Sequence, residues 1–310
     1  MLLSIVFSKN RALQLDACLA SLYRHGFDAS TMSITVLYKV TSPRFQRQYE
    51  ELARAYEGKA RFVPELSFRQ QVIGLLGSEI APRFEKKPES AASRFLGKVS
   101  RRPAQYSPGD CVVFLVDDTI FVRAVTFGEA QTALSHNQDA LGFSLRLGTN
   151  TSHTYVLERR QSLPRFRDAG GGLLKYEWVG ADADFGYPFE LSSSVYRLRT
   201  ILNLVTGISF GNPNALESEM SLRARKYAGR QPAMLCLEKS VAFSTPLNRV
   251  QDVFNNRTGS ESGFSVEALA DRFDADQRID VAALDGFVPT SCHQEVALTF
   301  AGGHKSNAAV

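Results

Sequence analysis

The chain has 310 residues, of which 44% are hydrophobic and 22% are charged. This composition excludes a disordered chain, a collagen and a coiled-coil rod, and it is that of a globular protein. With 36 basic and 32 acidic residues the formal charge is +4. The sequence contains no stripe of Lys and Arg interleaved with aromatic residues, the pattern that would indicate nucleic-acid binding. A mild positive charge suits an anionic small molecule or membrane surface.

The four cysteines are scattered, and none forms a CxxC pair. This pattern disfavours a zinc knuckle or a disulfide framework and indicates a reducing compartment. The apolar run at the N-terminus lacks the basic region of a signal peptide, and no run reaches the roughly 18 apolar residues of a membrane span. We therefore expect a cytoplasmic protein.

The first part of the chain alternates continuous apolar runs with segments of helical periodicity. The expected strands are 2–7, 32–40, 60–63 and 111–116, and the expected helices are 11–23, 44–56 and 68–76. Apolar strands alternating with helices predict an α/β fold, in which a mostly parallel central sheet is flanked by helices.

Residues 82–108 interrupt this alternation with seven basic and only two acidic residues. Two interpretations stay open. The segment is either a solvated helical excursion or a basic amphipathic element. In the second case it would lie peripherally on the inner membrane face or bind an anionic acceptor.

The second half is less regular. Its expected elements are strands at 140–147, 173–179, 193–197 and 208–210, helices at 216–228 and 266–273, and a loop at 160–172. No linker divides the chain into two domains, and residues 302–310 are expected to be a flexible tail.

Two adjacent carboxylates, Asp117 and Asp118, follow the apolar strand CVVFLV. Ligands of open α/β sheets bind at the carboxyl ends of strands. Two neighbouring carboxylates need a nearby cation to stay ionised, and Mn²⁺ or Mg²⁺ suits oxygen ligands and phosphates. The alternative is a strand-end turn in which one Asp caps the next segment.

The first strand runs directly into a helix through Ser8, Lys9, Asn10 and Arg11. A phosphate could meet backbone N–H groups and the helix dipole there, although Ser8 or Asn10 could equally be a simple helix cap. The segment contains neither GxGxxG nor GxxxxGK[ST], which argues against a Rossmann dehydrogenase and a P-loop NTPase.

These segments resemble a known family. FSKNRALQLDACLASL, LYKVTS and FLVDDTIF look like the nucleotide-sugar-binding half of a GT-A fold glycosyltransferase of the bacterial surface-polysaccharide type. The match covers residues 1–125, with 126–301 as the acceptor-binding and catalytic half of the same domain. Asp117-Asp118-Thr119 stands where that family has Asp-x-Asp.

The resemblance implies roles for residues at the strand ends. Ser8, Lys9 and Arg11 would line the nucleotide pocket, and Asp118 would bind the metal and diphosphate. Asp117 would face the ribose or the transferred sugar and take part in catalysis. Residues Tyr38 and Lys39 would contact the base, or would simply form an exposed strand end.

The segment 178–188 combines aromatic rings, carboxylates and glycines. Rings and carboxylates are the groups that recognise sugars. The candidate acceptor-binding residues are Trp178, Asp182, Asp184 and Tyr187. The alternative is a loop packed by its own rings.

Glu217 lies near the start of a helix that Asn212 would cap and Pro213 would begin. In inverting GT-A enzymes, an acidic residue at such a position is the general base that deprotonates the acceptor hydroxyl. The resemblance therefore makes Glu217 the candidate base. The alternative is a glutamate that only stabilises the helix dipole.

Two further residues could contact the donor or its metal ion. The resemblance makes His293 a candidate metal ligand, although a single histidine is more often structural. Arg249 could neutralise the diphosphate leaving group, unless its segment is a solvated helix.

Together these residues predict a metal-dependent glycosyltransferase that moves a sugar from a nucleoside-diphosphate donor to a hydroxyl of a glycan or lipid-linked glycan. An inverting reaction is expected, and a retaining one stays open. The alternatives are a nucleotidyltransferase, which usually needs a glycine-rich loop that SKNRALQ lacks, and a non-catalytic carbohydrate-binding protein.

Overall fold

A computed structural model describes residues 1–78, 107, 109–248 and 264–302. The predicted basic segment 82–108, apart from Ser107, lies outside the described residues. So do Arg249 and the part of the predicted tail beyond Gly302.

The first part of the chain forms the predicted alternation of strands and helices. Its elements are β1 (Leu2–Lys9), α1 (Ala12–His25), β2 (Ser33–Lys39), α2 (Pro43–Ala55), β3 (Arg61–Pro64), α3 (Phe68–Ser78) and β4 (Cys111–Val116). Strand β1 pairs in parallel with both β2 and β4, so that Ser8 lies beside Tyr38 and Phe7 beside Val116. The ends of these three strands therefore share one edge of the sheet.

The remaining elements extend the same sheet and cover it. They are β5 (Thr119–Phe121), α4 (Phe127–His136), β6 (Ala140–Ser144), β7 (His153–Thr154), β8 (Arg159–Arg160), β9 (Arg167–Gly170), β10 (Leu173–Glu177), β11 (Ser194–Arg197), α5 (Leu198–Thr206), α6 (Pro213–Leu222), β12 (Ala233–Leu237), β13 (Ala242–Ser244), α7 (Val266–Asp274), β14 (Gln277–Ile279) and β15 (Phe300–Gly302).

Nine strands form the central sheet in the order β3-β2-β1-β4-β11-β6-β12-β10-β9. The strand pairings make seven strands run one way, with only β11 and β10 opposed. The predicted α/β class with a mostly parallel sheet is confirmed. Because β4 and β11 pair directly, both halves of the chain build one sheet.

Apolar residues cover both faces of this sheet. Along β1, Leu2 and Val6 pack in one core cluster, with α1 and α4. Leu3, Ile5 and Phe7 point the other way, into the cluster that contains α3 and α5. Since successive side chains of a strand point to opposite faces, a continuous apolar run is what a sheet covered on both sides requires.

Several elements of the second half differ from the prediction. The expected loop 160–172 contains the edge strand β9, and the expected strand 208–210 has no strand pairing. Instead, Ile208 and Phe210 are buried in the cluster that contains α3, where Phe210 meets Phe68 edge to face. Helix α6 begins and ends earlier than the expected helix 216–228.

No helix among the described residues is both long and apolar enough to cross a bilayer.

Candidate functional site

A cavity of about 830 Å³ opens at the sheet edge where β1, β2 and β4 end. Two groups of charged side chains line it. The first, called here the strand-end region, consists of Lys9, Arg11, Lys39, Asp117 and Asp118. The second, called here the acidic region, consists of Arg146, Asp184, Glu190 and Glu217.

Asp117 is fully engaged by its neighbours. Its Oδ2 accepts hydrogen bonds from the Ser8 hydroxyl at 2.8 Å and from the Lys9 backbone N–H at 3.2 Å. Its Oδ1 accepts from Arg11 Nη1 at 3.0 Å. Because the side chain is buried, these three donors replace the water that an ionised carboxylate needs.

Arg11 supplies the cation that the adjacent carboxylates require. Its Nη1 lies 3.0 Å from Asp117 Oδ1 and 3.6 Å from Asp118 Oδ2. Asn248 fixes the other side of the guanidinium, because its Oδ1 accepts from Arg11 Nε at 2.8 Å and its backbone carbonyl accepts from Nη2. Burial alone would lower the pKa of Arg11, but the charges of Asp117 and Asp118 raise it overall.

Asp118 is less well satisfied than Asp117. Its Oδ1 is buried and has no hydrogen-bond partner among the described residues. Burial raises the pKa of Asp118 to about 6. Asp117 adds to the rise, and Arg11, Arg146 and the nearby Ser244 hydroxyl oppose it. The pair therefore consists of one carboxylate that accepts hydrogen bonds at both oxygens and one with an oxygen that accepts none.

A divalent cation fits this edge better through Asp118 than through Asp117. Mg²⁺ keeps several waters and is bound by one or two carboxylates together with substrate phosphates, and Mn²⁺ also prefers oxygen ligands. Asp118 Oδ1 offers one such ligand, whereas each oxygen of Asp117 already accepts at least one hydrogen bond. In the described part of the chain, no three His, Cys, Asp or Glu side chains gather as a metal cluster.

The two residues predicted to contact the base at the end of β2 have different environments. Lys39 lines the cavity and forms an ion pair with Glu65 at 3.0 Å. Tyr38 does not line it, because its ring is buried against Tyr49 with ring centroids 4.7 Å apart. Tyr49, which the sequence analysis missed, contacts Ser8 Oγ and accepts from the Arg11 backbone N–H at 3.1 Å.

Glu217 projects from α6 into the acidic region. As predicted, Asn212 caps this helix through a bond from the Ala215 N–H, and Pro213 begins it. Glu217 Oε2 accepts from the Leu191 N–H at 2.9 Å, and Oε1 accepts from the Tyr187 hydroxyl at 3.3 Å.

The environment of Glu217 favours its protonated form. Burial, followed by the charge of Glu190, raises the pKa of Glu217 to about 7. The Leu191 N–H, Arg146 and Tyr187 oppose that rise. A carboxyl group with a pKa near neutrality can exchange a proton with a hydroxyl substrate at physiological pH.

Arg146 and Glu190 are functional candidates that the sequence analysis missed. Arg146 Nη2 donates to Glu190 Oε2 at 2.9 Å, and the same oxygen accepts from the backbone N–H groups of Ser192 and Ser193. Glu190 Oε1 and Arg146 Nε have no partner among the described residues. The available signal was a charged residue inside an apolar run, in ALGFSLRL and in GYPFELSS.

Half of the predicted acceptor segment reaches the cavity. Asp184 and Tyr187 line it, whereas Trp178 and Asp182 do not. The Trp178 ring is buried in the core and its Nε1 donates to the Gln231 carbonyl at 2.7 Å. Asp182 is directed to the Arg159 guanidinium, 2.7 Å away, so neither side chain is offered to a ligand in the cavity.

His293 lines the cavity but faces Arg146. Its Nε2 lies 3.4 Å from Arg146 Nη1. Burial and then the Arg146 charge lower the pKa of His293 to about 3, so the ring is neutral. The predicted metal ligand is therefore placed against a guanidinium donor, which occupies the lone pair that a metal would need.

Comparison with known proteins gives one curated relative. No protein-family model matches the chain. The chain is 23% identical over 278 residues to the bifunctional glycosyltransferase pgtA of Dictyostelium discoideum. The match covers 81% of this chain and 32% of the relative, so the chain spans about a third of that protein's length.

Two solved structures show distant likeness. S. aureus TarS 1–349 in complex with UDP has a TM-score of 0.46 at 13% identity, covering 80% of this chain and 61% of that one. The mannosyltransferase PcManGT of Pyrobaculum calidifontis, in complex with GDP-Man and Mn²⁺, has a TM-score of 0.39 at 11% identity, covering 75% and 53%. The resemblance to glycosyltransferases that the strand-end motifs predict is confirmed by the curated relative.

Proposed function

We propose that the chain is a glycosyltransferase that moves a sugar from a nucleoside-diphosphate donor to a hydroxyl group of a glycan or lipid-linked glycan. The observation that carries this proposal is one cavity that contains both the strand-end region and a buried carboxyl group with a pKa near 7. The first is suited to a diphosphate and the second to proton transfer. The similarity to a glycosyltransferase supports the same activity.

The strand-end region would hold the donor. Lys9, Arg11 and Lys39 place three cations around the cavity at the ends of β1 and β2. Cations at these positions attract a diphosphate and stabilise the charge that it gains on departure. Ser8 and Asp117 would act by fixing Arg11 and the Lys9 backbone.

A divalent cation, Mn²⁺ or Mg²⁺, would be held by the unused oxygen of Asp118. When bound, it would stabilise the negative charge of the leaving diphosphate as a Lewis acid. His293 is not included in this site, because Arg146 occupies its Nε2.

Glu217 would act as the general base. It would take the proton of the acceptor hydroxyl while that oxygen forms a bond to the anomeric carbon and the bond from this carbon to the diphosphate oxygen breaks. A single displacement of this kind inverts the anomeric configuration. Asp184 and Tyr187, which share the cavity with Glu217, would contact the sugars.

A donor screen tests this function. Purified protein is incubated with UDP-, GDP-, dTDP- and CMP-sugars, with Mn²⁺, with Mg²⁺ and with EDTA, and release of the nucleotide is measured. We expect turnover of at least one nucleoside-diphosphate sugar, and its loss in EDTA. Nucleotide-sugar binding without any turnover would instead favour the carbohydrate-binding alternative. Undiminished turnover in EDTA would contradict the metal role of Asp118.

A further inference from the structure

The acidic region lies directly beside the strand-end region in the sheet. Strand β11 is between β4 and β6, and it is antiparallel to both. The start of β11 and the end of β6 therefore lie at the same edge as the end of β4. Glu190 precedes β11 and Arg146 follows β6, so both residues lie next to the end of β4, within reach of a sugar attached to a diphosphate there.

Three polar atoms of the acidic region are left without partners. Glu190 Oε1, Arg146 Nε and Asp184 Oδ2 are buried and make no hydrogen bond within the described residues. Glu190 and Arg146 are each only 6% exposed, and both line the cavity. An unmet buried polar group is costly, and three of them on residues that line one cavity can be satisfied by a ligand that supplies the missing hydrogen bonds.

The charges of this region are unbalanced. Arg146 is its one cation, against the carboxylates of Asp184 and Glu190 and against Glu217, which is about half ionised near pH 7. His293 adds no charge because its ring is neutral. Arg146 is already paired with Glu190, so a further carboxylate would meet an excess of negative charge in a buried site, where repulsion is weakly screened.

We propose that the acidic region is the subsite for the donor sugar and that its charge selects a neutral or amino sugar and rejects a uronic acid. Hydroxyl or ammonium groups of the sugar donate to the unused oxygens of Glu190 and Asp184. A carboxylate at C6 can donate to neither. This inference rests on the proposed use of a nucleotide-sugar donor and adds the class of sugar.

Matched donors test the proposal. UDP-glucose is compared with UDP-glucuronate, UDP-galactose with UDP-galacturonate, and GDP-mannose with GDP-mannuronate, so that each pair differs only in oxidation at C6. We expect kcat/KM to be at least about 10-fold higher for the neutral member of the pair that is used. The thermal shift caused by each donor gives a second readout that needs no turnover.

Two variants test the roles of Glu190 and Asp184 in this selection. Glu190→Gln and Asp184→Asn each remove one negative charge with little change in shape, and each is expected to lower the discrimination at least about 3-fold. Glu219→Gln is the matched control, because Glu219 lies on the same helix as Glu217, does not line the cavity and pairs with Arg223. This control is expected to keep the wild-type ratio.

The outcomes distinguish failure of the proposed charge selection from failure of the proposed function. If neutral donors are used and the uronate donors are used equally well or better, the charge selection is wrong while the proposed function stands. Unchanged discrimination in both folded variants would also overturn the assignment to Glu190 and Asp184. If no donor of any pair binds or reacts, the proposed function fails, and the subsite fails with it.

Discussion

The two ends of one cavity treat their carboxylates differently. In the strand-end region, Asp117 has three donors, and Arg11 is fixed between the acids by Asn248. In the acidic region, Glu190 and Asp184 each keep an oxygen without a partner. The first arrangement fixes Asp117 and Arg11 without a ligand, although Asp118 Oδ1 has no partner among the described residues. In the second arrangement, the unused carboxylate oxygens need hydrogen bonds from a bound molecule, as expected of a substrate-binding site.

The largest effect is expected where the acidic region carries chemistry. Glu217→Gln keeps the shape of the side chain and an oxygen that can accept from Leu191, but it removes the base. We expect turnover to fall about 10²–10⁴-fold, with donor affinity changed much less. Steady-state kinetics and calorimetry with the donor measure the two effects.

Glu219→Gln is again the control for Glu217→Gln, and it should keep wild-type turnover. If Glu217→Gln turns over donor and acceptor at the wild-type rate, Glu217 is not the base. A parallel loss of donor affinity and turnover would indicate a binding role instead.

The two neighbouring acids should respond differently in stability. Asp117→Ala leaves Arg11 buried without its main partner, and breaking a buried pair of this kind costs about 3–5 kcal/mol of unfolding free energy. Asp118→Ala removes a carboxyl group with an unpaired oxygen and should cost much less, while abolishing metal-dependent transfer. Urea unfolding and turnover with Mn²⁺ measure both. Equal destabilisation by the two substitutions would contradict the division between a saturated and an unsaturated acid.

The pH dependence of turnover gives a smaller and directional test. A base must be deprotonated, so kcat should rise with pH through about 7 and level off above it. Tyr187, Arg146 and Glu190 face Glu217, and of these Glu190 raises its pKa. Glu190→Gln should therefore move the midpoint to lower pH. A shift to higher pH, or none, would show that Glu190 does not act on Glu217 through its charge.

The strand-end region was predictable because its residues are adjacent to apolar runs. Parallel strands bring their carboxyl ends to one edge, so the residues after 2–7 and 111–116 had to lie together. What the sequence did not show is which partner each acid takes. Tyr49 is on α2, more than 60 residues away from Asp117 along the chain, and only the packed structure brings its hydroxyl to Ser8, which donates to Asp117.

The acidic region was harder to predict, because its residues come from segments that are far apart along the chain. Its walls come from the end of β6, from the first part of α6 and from the segments around Asp184 and His293. These parts meet only after β11 has inserted antiparallel between β4 and β6. The helix cap at Asn212 and Pro213 was visible locally, so the placement of Glu217 was predictable. Arg146 and Glu190 lie in apolar stretches, where a charge without a partner in view resembles a surface residue of a strand.

The sequence analysis did not predict helix α5 or strand β12, and the local sequence explains why. Helix α5 follows β11 without an intervening turn residue, so no turn signal in VYRLRTILNLV separates the strand from the helix. Strand β12 is the five-residue run AMLCL, which is too short for its periodicity to separate strand from helix. Pairing with β6 and β10 selects the strand conformation of β12.

The smallest predicted effect concerns the hydroxyl of Tyr187. Its 3.3 Å hydrogen bond to Glu217 Oε1 favours the charged carboxylate and lowers the pKa of Glu217 against the effects of burial and Glu190. Tyr187→Phe should therefore move the midpoint of the pH–kcat curve upward, opposite to Glu190→Gln, and reduce turnover at pH 7 by a few-fold. Because Tyr187 is 40% exposed, the unfolding free energy should change by less than about 1 kcal/mol. Shifts of opposite sign in the two variants would establish that Glu217 is tuned by both neighbours, whereas shifts of the same sign would mean that the measured midpoint belongs to another group.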